Sequence, residues 1–247
     1  MNRKTKIAAG AVLVTLAAGV PGAIATTGAD ERPADQRRAL PFTKSKLLFE
    51  LNATARDMGV QALLDAEGWE TAQIYSPDGK LLLRVRADGS IGKIGVTELF
   101  FESAEPSLDD LPKAKLFKMF PEGRYAIVGR TPEGRMIVGA AELTHDIPAA
   151  AAVVKPREGA LVDRRNTVID WKPVTRPAGI DIVGYQVIVE REDPLRVLSV
   201  DVPRWVTRVV VPPQFLQYGT DYKLEVIAIE RGDNQTITES EFRTRRR

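Results

Sequence analysis

Apolar and polar positions alternate in short runs along most of the chain, and turn residues separate the runs. Between residues 43 and 148 the runs are KLLFELNATA, WETAQIYSPDGKLLLRVRADGSIG, GVTELFFES and GRYAIVGRTPEGRMIVGAAEL. A period of two sends successive side chains to opposite faces of a strand, so these runs predict a half-buried sheet. Ser76, Pro77, Asp78 and Gly79 mark a hairpin between Ile74 and Leu81, and Thr131, Pro132, Glu133 and Gly134 mark another between Ile127 and Met136. In VQALLDAEGW, Val60, Leu63 and Leu64 suit either period, and a strand running into a turn at Glu67 and Gly68 is preferred. One stretch departs from the alternation. In PSLDDLPKAKLFKMF, Ser107 and Asp110 resemble a capping box and Leu111, Leu116, Phe117 and Phe120 share a helical face, which predicts one short helix within 107–120.

The alternation breaks at HDIPAAAAVVKPREG, which sets a domain boundary near Pro148. Beyond it NTVIDWKPV, IVGYQVIVERE, RVLSVDV, TRVVVPPQFL, TDYKLEVIAIE and TITESEF again read as strands. Val183, Tyr185, Val187 and Val189 are expected on one face, as are Tyr222, Leu224, Val226 and Ala228. Many short strands at this spacing predict an all-β chain of two β-sandwich domains in tandem, over 43–148 and 149–243.

Trp171 in VIDWKPV, Tyr185 in IVGYQVIV, and Leu216, Gly219, Thr220 and Tyr222 in FLQYGTDYKLEVIAI resemble the pattern of a fibronectin type III domain. The resemblance implies an immunoglobulin-like sandwich over residues 150–243, with structural roles for Trp171, Tyr185, Leu216 and Tyr222. The last of these would form a tyrosine corner, its ring buried and its hydroxyl bonded to backbone. GVTELFFESAEPS, FPEGRYAIVG and LTHDIP resemble the leading domain of a family of exported bacterial proteins that also carry a fibronectin type III domain. That second resemblance brings no activity with it.

The chain opens with Arg3, Lys4 and Lys6, an apolar run from Ile7 to about Val20, and a small-x-small site at Ala23 to Ala25. These are the features of a secretory signal over residues 1–25, so the protein is expected to be exported, periplasmic or secreted, with no stable membrane insertion once the signal is cut. Residues 26–42, polar and proline-bearing, read as a flexible leader, and 244–247 as a basic tail. Loss of the signal takes three basic residues and no acid from a balance of 35 basic to 33 acidic, leaving a net charge of about −1. Net charge therefore gives no case for a nucleic-acid partner, which needs a basic face. With no cysteine, stability rests on core burial and sheet hydrogen bonds alone.

Candidate chemistry is sparse. The single histidine, His145, lies beside Asp146 at the expected domain joint, where a capping or interface role competes with catalysis. Paired carboxylates suited to glycoside hydrolysis are sought in TELFFESAEPSLDD, at Glu98, Glu102 and Asp109; the competing reading is a solvated acidic rim. Asn52, Asp57 and Asp65 offer oxygen ligands to a calcium ion, although NATARDMG lacks the acidic spacing of a calcium loop. Trp69, Tyr75 and Trp205 are the large rings left over for a carbohydrate platform. Arg231, Gly232 and Asp233 spell an adhesion tripeptide, placed by the fold reading in the turn between the last two strands. Gly-Asp-Asn is also ordinary turn chemistry. No cofactor is implied. The leading expectation is a non-catalytic module that contacts an envelope protein or polysaccharide, and the alternative is a component of extracellular polysaccharide turnover.

Overall fold

The structure, a computed structural model, describes residues 38–247. The signal segment and the leader up to residue 37 lie outside the described residues. The first half carries β1 (Leu40–Pro41), β2 (Lys44–Asn52), β3 (Asp57–Trp69), β4 (Thr71–Tyr75), β5 (Leu81–Arg86), β6 (Val96–Glu102), β7 (Gly123–Arg130) and β8 (Met136–Leu143). Two short helices, α1 (Gly89–Ile94) and α2 (Lys113–Met119), flank β6. The second half carries β9 (Ala152–Lys155), β10 (Ala160–Val162), β11 (Val168–Lys172), β12 (Ile182–Arg191), β13 (Arg196–Pro203), β14 (Arg208–Val210), β15 (Asp221–Glu230) and β16 (Gln235–Thr244). Among the described residues no helix is long and apolar enough to cross a membrane.

Period-two patterning builds the first core. Leu47, Phe49 and Leu51 of β2 and Met58, Val60, Ala62 and Leu64 of β3 turn inward. They meet Ile74, Tyr125, Ile127, Ile137 and Leu143 from the sheet ordered β1-β8-β7-β4-β5. Both expected hairpins form, with Gly79 and Gly134 at positive φ donating back to Ser76 and Thr131 at 2.9 Å each. The end of the segment expected as leader is part of the fold: Leu40 and Pro41 pair with Ile137 and Val138, and Phe42 is buried. Its side chain packs closely on Gly129 and Gly139, where an added Cβ would stand 3.1 Å from Phe42 Cζ and 2.9 Å from Phe42 Cβ.

The helix α2 is shorter than expected and starts after Pro112, with no side-chain cap. Ser107 instead accepts from the Asp109 amide at 3.2 Å in the loop upstream, so the capping-box reading does not hold. Leu116 is its buried residue, and Phe117 and Phe120 pack on Phe49. The helix α1 was not expected; none of its residues is buried, so no apolar period could announce it.

In the second half a sheet ordered β14-β11-β9 faces β13, β12, β15 and β16, an immunoglobulin-like sandwich around Trp171, Tyr185, Leu216, Tyr222 and Phe242. The Tyr222 hydroxyl accepts from the Gln217 amide at 2.7 Å, which is the tyrosine corner. The Tyr185 hydroxyl accepts from the Val174 amide at 2.8 Å. Val183 departs from expectation: the β12 register shifts between Ile182 and Gly184, so Ile182 is buried and Val183 faces solvent. The last strand runs through Thr244, which is buried, so the basic tail starts one residue later than expected.

The two sandwiches are not separate. Strand β16 pairs in parallel with β2, through Gln235 with Glu50, Thr236 with Leu51 and Ile237 with Asn52. This pairing fuses β13-β12-β15-β16-β2-β3-β6 into one sheet, and among the described residues it is the one strand pairing between the halves.

Candidate functional site

The join between the halves draws its polar groups from the turn after β15. Asn234 is fully buried. Its Oδ1 accepts from the Phe49 amide at 2.8 Å. Its Nδ2 is directed at Thr144 Oγ1 (2.9 Å) and at the carbonyls of Thr144 (3.1 Å) and Asp146 (3.2 Å). Glu230, also buried, accepts from the Gly232 and Asn234 amides at 2.6 and 3.0 Å, and burial nonetheless pushes its carboxyl above the usual range. The adhesion-type tripeptide inside this turn is already engaged. Arg231 Nε is 2.6 Å from Asp181, and Asp233, at a φ of 74°, is 2.6 Å from Lys46 of the other half. Both charged side chains of the tripeptide are thus paired within the protein.

On the face of β2 that points away from the first core, Glu50 stands opposite Gln235 and is 7 % exposed. Gln235 Nε2 donates to Glu50 Oε2 and lies 3.3 Å from Gln61 Oε1. Glu102, at the end of β6, and Glu105 bring a carboxylate oxygen each to within 4.8 Å of Glu50. Glu105 reaches Glu50 across Gly59, its β3 partner, where a Cβ would stand 2.9 Å from Glu105 Cγ. Burial, then the charges of Glu105 and Glu102, lift the Glu50 carboxyl from 4.5 to about 8. Ionised carboxylates this close repel one another, which adds to the cost of charging the buried Glu50.

The structure disperses the carboxylates chosen from sequence for hydrolysis. Glu98 and Glu102 share a face of β6 but lie four residues apart, about 13 Å at strand rise, beyond the spacing of a glycosidase pair. Asp109 is paired with Arg56 at 2.8 Å in an exposed turn. The calcium set is likewise not a site. Asp57 and Asp65 are eight residues apart on β3, about 26 Å. Asn52 Oδ1 accepts from the Thr54 and Ala55 amides at 3.1 and 2.9 Å, which closes the β2–β3 turn, and Asp65 is 3.5 Å from Lys44. His145 stacks on Phe117 at 3.9 Å, and its Nε2 lies 2.9 Å from the Phe120 carbonyl, so it anchors α2 to the joint.

Of the rings chosen as platforms, Trp69 is wholly buried and Tyr75 bonds through its hydroxyl to Gln73. Trp205 is 78 % exposed, in the turn between β13 and β14. Its neighbour Arg204 donates to Asp181 Oδ1 at 3.1 Å, and Arg231 holds the other oxygen of the same carboxylate. The turn bearing Trp205 is thereby tied to the turn bearing Arg231. Sequence reasoning missed Glu50, Gln61, Asp181, Asn234 and Gln235, whereas Glu105 lies in the acidic stretch TELFFESAEPSLDD that it singled out. The one available signal was the polar Glu50 and Asn52 alternating with Phe49 and Leu51 in an otherwise apolar strand.

No protein-family model matches the chain, and no curated protein matches it. Among solved structures, the FN1–FN3 domains of chicken CNTN1 are similar at 12 % identity over 84 % of this chain and 65 % of that one, with a TM-score of 0.35. A two-domain fibronectin type III segment of chicken tenascin is 12 % identical over 81 % of this chain and 98 % of that one, with a TM-score of 0.31. The spore cortex lytic enzyme SleM of Clostridium perfringens is 20 % identical over 39 % of this chain and 28 % of its own, with a TM-score of 0.29. The chain thus spans less than two thirds of the length of two of these three structures.

Proposed function

We propose that this chain is an exported, non-catalytic binding module that holds a polysaccharide at or outside the cell envelope, through the end of the second sandwich that carries Trp205. The observation that carries the reading is the 78 % exposure of Trp205 in a chain whose other two tryptophans, Trp69 and Trp171, are buried. An indole left in water loses the burial that normally stabilises it, and such rings are enriched where a partner covers them. The apolar C–H face of a pyranose packs on a flat ring, and Asp181, Arg204 and Arg231 supply acceptors and donors for the hydroxyls around it. The three groups are held to one another, so little ordering entropy is lost when a ligand lands.

Co-sedimentation of the mature chain with a set of insoluble cell-wall and plant polysaccharides tests this. Trp205→Ala is expected to weaken retention at least tenfold, as for a buried aromatic anchor. Its unfolding free energy should stay within about 0.5 kcal/mol, because the ring supports little of the fold. Retention that survives Trp205→Ala, or capture of an envelope protein with no polysaccharide retained, would replace the reading.

A further inference from the structure

The first sandwich turns two outer faces to solvent, and they differ in charge. On β7 and β8, Tyr125, Ile127 and Ile137 enter the core, so the residues that alternate with them point outward. Strand register places Val138, Val128, Gln73 and Arg84 in one row across β8, β7, β4 and β5, and Met136, Arg130, Thr71 and Arg86 in the row beside it. Arg124 stands at the far end of the same face of β7, opposite Glu142, the one acid on this face of the four strands. All four cations are exposed arginines. Arg86 is committed to Glu70 at 3.0 Å and to Asp88 at 3.1 Å. Arg130 donates to the Gly134 carbonyl at 3.1 Å, which leaves its charge unpaired. The side chains of Arg84 and Arg124 hold no partner among the described residues.

The opposite outer face, on β2, β3 and β6, is acidic. Asp65, Glu98 and Glu102 stand there, and its lysines, Lys44 and Lys46, are paired with Asp65 and Asp233. A polyanion is therefore drawn to one face of the sandwich and repelled by the other. At strand rise and spacing, the backbones of Arg84, Arg124 and Arg130 lie roughly 12, 16 and 20 Å from one another, too far for one small anion to bridge all three. The ligand that meets them is extended and carries acid groups at intervals. Between the arginines the floor is Ala126, Ala140, Val128 and Val138, small side chains on a flat sheet. Such a floor offers no deep seat for the aromatic or arginine anchor that a protein partner places at the centre of an interface. Tyr75 donates its phenol hydrogen bond to Gln73 Oε1, which leaves the Gln73 amide N–H groups to donate to sugar hydroxyls. We propose that this face binds an acidic polysaccharide with carboxylates along its chain, which Arg84, Arg124 and Arg130 take in paired hydrogen bonds. The site is separate from Trp205 and survives the failure of the reading built on that ring.

Calorimetric titration of the mature chain with sodium polygalacturonate at about 20 mM salt tests it. Binding is expected, and its affinity should fall at least tenfold when salt is raised to about 200 mM. The triple variant Arg84→Ala, Arg124→Ala, Arg130→Ala should lose at least tenfold in affinity while its melting curve stays in place. Trp205→Ala should bind polygalacturonate as the unmodified chain does. On neutral polysaccharides the two variants exchange effects, so failure of one site is told from failure of the other. No binding at the lower salt overturns the proposal, as does undiminished affinity in the triple variant. Equal affinity for poly-L-glutamate of matched charge also overturns it, by showing that the face answers to the acid groups an acidic protein supplies and not to a sugar chain. Equal affinity for single-stranded DNA does the same for a nucleic acid. Should the triple variant fail to fold, Arg84→Glu combined with Arg124→Glu, which keeps the Arg130 bond to Gly134, decides alone.

Discussion

Asn234 and Thr144 stand 90 positions apart and are joined twice, through the Thr144 hydroxyl at 2.9 Å and its carbonyl at 3.1 Å. With the Asp146 carbonyl and the Phe49 amide added, one amide side chain binds the last turn, the connection between the halves and the central strand β2. Buried backbone groups that lose a partner cost about 1–3 kcal/mol each. Asn234→Ala strands several at once in a site with no room for bulk water, so urea unfolding should register a loss of roughly 2–4 kcal/mol. Asn234→Asp is expected to be nearly as costly, since a carboxylate cannot donate to the two carbonyls.

The Arg231-Gly232-Asp233 tripeptide is explained by the same turn. Its arginine and aspartate each hold a partner from another element, Asp181 and Lys46, and its glycine amide bonds Glu230. Gly232 has a steric reason to be glycine, because a Cβ would stand 2.8 Å from Glu230 Oε1. Cells plated on immobilised protein are therefore expected to attach no differently to Asp233→Glu than to the unmodified chain. Side-chain exposure at both ion pairs is substantial, so Asp233→Ala should shift stability by no more than about 1 kcal/mol.

Wherever one face of a strand was apolar, the sequence was readable. Trp171, Tyr185 and Tyr222 announced the second sandwich because their burial follows from strict alternation and a fixed corner, and Phe49, Val60 and Ile127 did the same for the first. The fusion of the sandwiches was not readable. It depends on a parallel pairing between strands some 185 positions apart, and neither β2 nor β16 carries a local mark of its partner. Glu50, Gln61 and Gln235 looked like ordinary polar positions on the outer face of a sheet; only the join makes that face an interior. Sequence spacing also made Asp57 and Asp65 look like neighbours, when a strand's rise carries them to its two ends.

The tyrosine corner carries a sharper test than the ring burial around it. The Tyr222 ring stacks on Phe242 at 5.4 Å and would keep that contact as phenylalanine, whereas the Gln217 amide would lose its acceptor. Tyr222→Phe is thus expected to cost about 1–3 kcal/mol, with the denaturant slope unchanged. A cost near zero would mean that the Gln217 amide finds another partner and that the corner does not hold this crossing.

Global stability should be greatest in mildly acid solution and decline toward pH 8. Glu50 and Glu230 are both raised by burial, so between about pH 4.5 and about pH 8 the native chain holds protons that the unfolded chain has released. Stability falls with pH wherever the native state binds more protons, and it levels off once Glu50 has ionised in both states. Below pH 4 the sign reverses. Asp78 is lowered to about 2, by its hydrogen bond from Lys80 first and Ser76 second, so its stabilisation is lost as pH falls through that value. The expected profile is an optimum between about pH 4 and 5, followed by a decline on the order of a few kcal/mol by pH 8. Urea midpoints measured at unit intervals of pH check it. Glu50→Gln should remove most of the alkaline slope, Glu230→Gln a smaller part, and Asp78→Asn only the acid limb. An alkaline slope untouched by Glu50→Gln would place the retained proton on another group.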